Sequence, residues 1–364
     1  MKKIIITTFQ RAHNYGAMLQ ALALQNVLEN KGFEVRFLDY KDVNIEAPYR
    51  LFPLKGKKGI EALKTILRSV RYIEPNIIRR HRFLTFQEKK LHLEKKKTDF
   101  FADYYITGSD QVWNSDITNG LSDIYTLNFG RKDVKRISYG ASIGKGQLSV
   151  EEQTIFQNKL QYMNSISVRE ETAKKLLEEI FPNKHISVVL DPTLLLTREE
   201  WGNLLEGIKV QNNKKYILAY MVEENQEFRK IAKNLEEKTG YPIFHFEKKN
   251  FWKNAKSFYT AGVLEFVNYI KNAEYVVTTS FHATVFSIIF NKKFWIIPHE
   301  VTGSRVIDLV NSLELSNRIV NTLDMFLKVD YNEDINYERV DKILDIKRKQ
   351  SLQWLENEVK EKNE

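Results

Sequence analysis

Short runs of β-branched and aromatic residues alternate along the chain with longer stretches in which apolar residues return every three or four positions. Runs at 3–8, 33–38, 103–107, 135–139, 165–168 and 186–190, and again at 216–221, 242–246, 275–278 and 294–297, read as strands. Between the first two, Leu19, Leu22, Ala23, Val27 and Leu28 share one helical face, closed by the cation and glycine of Lys31-Gly32. The same spacing predicts helices over 153–164, 171–180 (ended by Pro182), 225–238, 263–272, 283–290 and 306–313, with a polar helix from 337 onward. Strand and helix in alternation predict an α/β protein built on doubly wound parallel sheets. A second strand–helix series starts at Lys215, so the boundary belongs between 185 and 200. Two Rossmann-like domains are expected, 1–190 and 191–364, the second carrying the terminal helix. Domains of this kind are expected to face each other across a cleft, donor on one and acceptor on the other.

Residues 41–98 break the alternation. Ile60, Leu63, Ile66, Leu67, Val70 and Ile73 fall on one helical face, with Lys64, Arg68 and Arg71 on the others. This reads as a basic helical insertion in the first domain. Charge sharpens the picture: the chain carries a net +9, yet 50–97 alone holds 15 Lys/Arg against 4 Asp/Glu, leaving the remainder about neutral. One reading is a helix laid on its own domain with a solvated charged face; the other is contact with an anionic membrane surface. The charge is local and no nucleic-acid module accompanies it, so nucleic acid is not an expected partner.

Composition removes several other classes. The chain of 364 residues has no cysteine, which excludes disulfides, thiolate metal sites and a cysteine nucleophile, and fits the cytoplasm. No apolar run reaches membrane-spanning length. The opening MKKIIITTFQ breaks at Thr7 without a small-residue cleavage site, so it reads as a first strand and not a signal peptide. There is no HxxxH or HxH pair, GxSxG, Walker A or kinase set, and neither metal nor cofactor is expected. The last residues, 360–364, are expected to fray.

Candidate chemistry collects at the carboxyl ends of strands. Asn14-Tyr15-Gly16 stands at the start of the first helix, either touching a ligand or only turning the chain. Gly108-Ser109-Asp110-Gln111-Val112-Trp113-Asn114 follows another strand and reads as a ligand loop or as a capped turn with a core tryptophan. Gly140-Ala141-Ser142 ends a third strand. Arg169, at a strand-to-helix junction, suits an anion or a neighbouring carboxylate. Thr278, Thr279, Ser280 and His282 end the strand at 275–278, where the histidine either moves protons or satisfies a loop carbonyl. Arg305 follows the last core strand. Arginines with a histidine suit chemistry on a small anion.

Six strings in this order, NYGAMLQALALQ, GSDQVWN, ISYGAS, SVRE, VLDPTLLL and TTSFHATVFSIIF, make the chain resemble the polysaccharide pyruvyl transferase family over nearly its whole length. The resemblance implies a glycosyltransferase-B-like architecture. It also implies transfer of pyruvate from phosphoenolpyruvate onto two hydroxyls of a surface-polysaccharide precursor, forming a cyclic ketal and releasing phosphate. Phosphoenolpyruvate is then the donor substrate, and the saccharide acceptor is lipid-linked, which brings the enzyme to the inner face of the membrane. Carried onto this sequence, the family motifs make Arg169, His282 and Arg305 catalytic. Arg169 and Arg305 take donor anions, and His282 takes proton transfer or the leaving phosphate. Asn14, Tyr15, Gly16, Gly108, Ser109, Asp110, Gln111, Trp113, Ser142, Thr279, Ser280 and Phe281 become substrate-binding. Thr279 and Ala283 depart from the family pattern, which often has an acidic residue and a glycine there. The alternative is a metal-independent glycosyltransferase of the same architecture using a nucleotide-sugar donor.

Overall fold

The computed structural model describes residues 1–94, 100–210, 214–298 and 303–360. Parts of three sequence expectations, the basic residues 95–97, the loop residues 299–302 and the fraying end 361–364, lie outside these residues.

The first sheet has seven parallel strands: β1 (Lys3–Thr7), β2 (Glu34–Leu38), β3 (Leu93–Glu94), β4 (Tyr104–Thr107), β5 (Lys135–Ala141), β6 (Ser165–Val168) and β7 (Ile186–Val188). They lie in the order β3-β2-β1-β4-β5-β6-β7. Ile4, Ile5 and Ile6 of β1 are fully enclosed, as an uninterrupted apolar run requires in a strand covered on both faces. In register, Ile5 lies between Arg36 of β2 and Tyr105 of β4. The chain runs outward from β1 through β2 to β3 and then returns to the other side of β1 as β4. The reversal at β1 and β4 is where open α/β sheets hold ligands.

A second sheet has five parallel strands: β8 (Ile217–Tyr220), β9 (Ile243–His245), β10 (Lys256–Ser257), β11 (Tyr275–Thr278) and β12 (Lys293–Ile296), in the order β10-β9-β8-β11-β12. Its reversal falls between β8 and β11. Trp295, Phe228, Phe326 and Ile231 fill the core on one of its faces.

Helix starts follow caps more closely than they follow apolar spacing. The helix Tyr15–Glu29 begins where the Asn14 side chain accepts the N–H groups of Gly16 and Ala17. The helix Phe281–Ile289 begins two residues earlier than the spacing predicts, because Ser280 is its N-cap and accepts from the Ala283 N–H. His282 therefore lies inside the first helical turn, not in the loop before it. Where one insertion helix was expected, two long ones occur among the described residues, Gly59–Arg71 and Ile73–Lys90, after the single turn Val43–Glu46.

The chain forms two compact units, one of 1–56, 84–196 and 344–364, the other of 57–83 and 197–343. This differs from the simple division at 190. The insertion helix Gly59–Arg71 belongs with the second unit, and the terminal helix Tyr337–Val359 changes unit after Ile343. The physical reason is continuity: a long helix carries successive apolar turns to different cores without any break in its own periodicity.

Candidate functional site

In the first unit, four strand ends contribute to one polar cluster. The loop after β4 is drawn onto the end of β5: Ser142 N–H donates to the Asp110 carbonyl (3.0 Å), and Trp113 N–H donates to the Ser142 carbonyl (3.2 Å). Asp110 takes a φ of +90°, which a non-glycine residue adopts at a cost of roughly 1–3 kcal/mol and which is concentrated at functional sites. Its carboxylate accepts the Gln111 N–H at 2.8 Å. Gly144 (φ +67°) leaves room for this arrangement, since a Cβ there would lie 2.1 Å from Gln111 Oε1. That same oxygen accepts from Asn114 Nδ2 at 2.9 Å.

Arg169 is the centre of the cluster. Its side chain is 1% exposed, and Nη1 donates to Asp191 Oδ2 at 2.7 Å and to Ser109 Oγ at 3.2 Å. Glu170 lies 3.6 Å from Nε and Asp110 4.0 Å from Nη2. Ser109 Oγ donates to the same Asp191 oxygen (2.8 Å), and Ser142 Oγ donates to Glu170 Oε1 (2.7 Å). The second Asp191 oxygen accepts from the Thr193 N–H and hydroxyl, capping the short turn Pro192–Leu195. Burial alone pulls the Arg169 pKa down, but Asp191, Glu170 and Asp110 outweigh it and hold the guanidinium above its ordinary value. Of the two readings of Arg169, carboxylate pairing is the one its geometry displays.

Other first-unit candidates have structural partners of their own. Trp113 is fully buried and donates its indole N–H to the Tyr125 carbonyl at 3.0 Å, so the ligand reading gives way to a core tryptophan. Tyr15 is buried in the first helix, Gly16 lies in its first turn, and the Asn14 side chain is occupied as its cap, so this string starts a helix. A Cβ at Gly108 would meet Thr8, Ile6 and Leu24 at 3.4–3.5 Å. Glu170 of SVRE and Asp191 of VLDPTLLL are not among the candidates the sequence singles out, and only the fold shows that they converge on Arg169.

In the second unit the candidates come together at the β8–β11 reversal. Thr279 N–H and the Thr278 hydroxyl both donate to the Tyr220 carbonyl (3.2 and 2.7 Å), and the Thr279 hydroxyl accepts the Val222 N–H (2.9 Å). Thr279 thus ties the two strand ends together. Thr278 Oγ1 accepts the Ser280 N–H at 2.9 Å. His282, 7% exposed, meets the Phe281 ring edge-on with centroids 5.2 Å apart. Arg305, in the first turn of the helix Ser304–Ser312, lies over the same Phe281 ring at 5.9 Å. The imidazole and the guanidinium, each carried in the first turn of a helix, therefore share one aromatic ring. This arrangement favours an anion, because each helix start presents N–H groups and positive potential.

One further carboxyl in this unit escaped sequence reading. Glu247, just past β9, has its pKa pushed up to about 7 by burial, against the opposing pull of Arg79 and Arg229 and with Glu224 adding to the rise. Nothing in its local string, FHFEKK, marks it. Among the described residues, no group of three or more His, Asp or Glu is set to hold a metal ion.

Against known proteins, a family model described as polysaccharide pyruvyl transferase matches residues 14–300. No curated protein matches in sequence. Among solved structures, a Listeria monocytogenes protein described as a UDP-N-acetylglucosamine 2-epimerase is similar at 13% identity and a TM-score of 0.51, covering 94% of this chain and 90% of its own. The UDP-GlcNAc 2-epimerase of Methanocaldococcus jannaschii gives 14%, 0.48, and coverage of 94% and 98%. A glycosyltransferase from a Streptomyces species gives 11%, 0.43, and coverage of 98% and 100%. At these identities the likeness is one of fold, two Rossmann-like units of glycosyltransferase-B type.

Proposed function

The chain belongs to the polysaccharide pyruvyl transferase family, and from that premise we propose that it moves pyruvate from phosphoenolpyruvate onto two hydroxyls of a saccharide, closing a cyclic ketal and releasing phosphate. The observation that carries the reading to particular residues is the sharing of the Phe281 ring by His282 and Arg305 at the start of two helices. Phosphoenolpyruvate brings a carboxylate and a phosphate, and the Arg305 guanidinium beside the start of the helix Phe281–Ile289 offers a cation and N–H groups suited to them.

In the proposed reaction a proton is added to C3 of the donor, and C2 becomes cationic. One saccharide oxygen bonds to C2 and loses its proton; the second then displaces phosphate from C2 and loses its own. The protons balance: two leave the hydroxyls, one is taken up at C3 and one departs with phosphate. Arg305 fixes a donor anion, and His282 delivers the proton to the departing phosphate oxygen. Arg169 keeps Asp110, Glu170 and Asp191 in place and so acts as a positioning residue. The acceptor is taken to be lipid-linked, as expected for a precursor of a surface glycan.

The test uses purified protein with phosphoenolpyruvate and a saccharide, reading phosphate release and a mass gain equal to a ketal-linked pyruvate. His282→Ala is expected to lower the rate by about 10²–10⁴-fold, the usual share of proton transfer, with an unchanged melting curve. Phosphoenolpyruvate is expected to raise the melting temperature of the wild type. Protection by a nucleotide sugar and none by phosphoenolpyruvate would replace this reading with nucleotide-sugar glycosyl transfer.

A further inference from the structure

The helix Gly59–Arg71 is mounted in the reverse of the usual sense. Its buried residues are polar, Thr65 and Ser69, with the Thr65 hydroxyl returned to the Glu61 carbonyl at 2.9 Å. Its apolar residues face outward: Ile60 is 74% exposed, Leu63 57%, Leu67 62% and Val70 55%. They recur at intervals of three and four, so they form one stripe along the helix. A stripe of this kind contributes nothing to the protein's own core, and single exposed apolar residues are ordinary while an aligned row is not. Lys64, Arg68 and Arg71, all exposed, run along one flank of the stripe.

We infer that this helix is a docking surface for an anionic lipid bilayer, lying in the headgroup plane with Ile60, Leu63, Leu67 and Val70 turned into the acyl boundary. The pattern is that of an interfacial helix: apolar on one side, basic beside it, low in overall hydrophobicity. Its thirteen residues are too few to span, and no helix among the described residues is long and apolar enough to cross a membrane. Charge decides between occupants. Two copies of the chain meeting stripe to stripe would bring like-charged rows together, whereas anionic headgroups complement them. A nucleic acid would use the cations and leave the apolar row in water.

The test is co-sedimentation of the full chain with vesicles, without donor or acceptor, so that its outcome is independent of the reaction proposed above. Vesicles of phosphatidylcholine alone are compared with vesicles containing phosphatidylglycerol, at low and at high salt. The protein is expected to pellet with the anionic vesicles, less as salt rises, and to stay in solution with phosphatidylcholine alone. Removing Lys64, Arg68 and Arg71 by change to Gln should weaken partitioning by about fivefold for each cation. Leu63→Ser with Leu67→Ser should abolish pelleting and, because both residues are exposed, leave the melting temperature where it was. The inference is overturned if the wild type stays in solution with anionic vesicles at low salt, or if the serine variant pellets as well as the wild type. It is equally overturned if the chain is a dimer that the serine variant splits, for then a second copy covers the stripe.

Discussion

Arg169 sits among more negative charge than it neutralises, with Asp191, Glu170 and Asp110 all within 4.0 Å of its guanidinium. Removing one partner of such a buried set leaves the others uncompensated, so Arg169→Ala is expected to destabilise the protein by about 3–5 kcal/mol in urea melts. Arg169→Lys keeps the charge but loses the fork, and should fall between the two. If Arg169 positions and does not bind, the lysine variant loses stability while its KM for phosphoenolpyruvate stays near the wild-type value. A lysine variant as stable as the wild type with a much raised KM would return Arg169 to donor binding. The arginine was legible in SVRE as a guanidinium at a strand end; its partners were not, because Asp110 and Asp191 arrive from distant strands. Glu247 was illegible for a related reason, since burial leaves no mark on its neighbours in sequence. Its carboxyl, raised to about 7, keeps its proton in the folded state over a range where the unfolded chain has released it. The associated stability is therefore present in full at acid pH below the ordinary glutamate value and is lost as pH rises through about 7. For a group still partly solvated the loss should be about 2 kcal/mol between pH 5 and pH 8. Glu247→Gln should lack this component, so the stability difference between variant and wild type should change by that amount across the range. A difference that stays constant with pH would show that Glu247 titrates normally.

At the scale of elements, the strands were read more securely than the helix starts, and the reason is local. A strand inside a parallel sheet is enclosed on both faces, and β1, β4 and β11 announce themselves as unbroken apolar runs. A helix start is decided by a single side chain accepting one or two N–H groups. Apolar spacing placed the start of the helix Phe281–Ile289 near Ala283, while the Ser280 cap starts it at Phe281. The difference matters for chemistry, because it sets His282 in a turn whose N–H groups are directed outward from the helix end. The helix Gly59–Arg71 shows the opposite limit. Its amphipathic pattern was plain in the sequence, but periodicity reveals only that a helix has two faces. Which face turns inward depends on the surface it meets, and here Thr65 and Ser69 are the ones enclosed.

At the scale of the whole molecule, two parallel sheets were legible from alternation alone. The assignment of the terminal helix was not, because its apolar residues keep one rhythm from Val340 through Leu355. Beyond Ile343 it belongs to the first unit and fastens it at several points. Ser351 Oγ accepts the Leu190 N–H at 2.9 Å, Lys135 Nζ reaches the Glu358 carboxylate at 2.7 Å, and the Trp354 ring lies 6.1 Å from that of Tyr139. Leu355 and Val359 are buried. Ending the chain after Ile343 would expose the surface these residues cover, at about 1.5–3 kcal/mol for each buried aliphatic side chain. It would also leave the Leu190 N–H without its acceptor, for about 1 kcal/mol more. The sum, on the order of 5 kcal/mol, is comparable with the whole stability of many domains. Hydrogen exchange on the truncated chain should therefore show protection lost across β5, β6 and β7 and kept in β8, β9 and β11, whose unit holds none of the deleted residues. Equal loss in both sheets, or protection unchanged in β5 to β7, would mean that the last helical turns are not what secures the first unit.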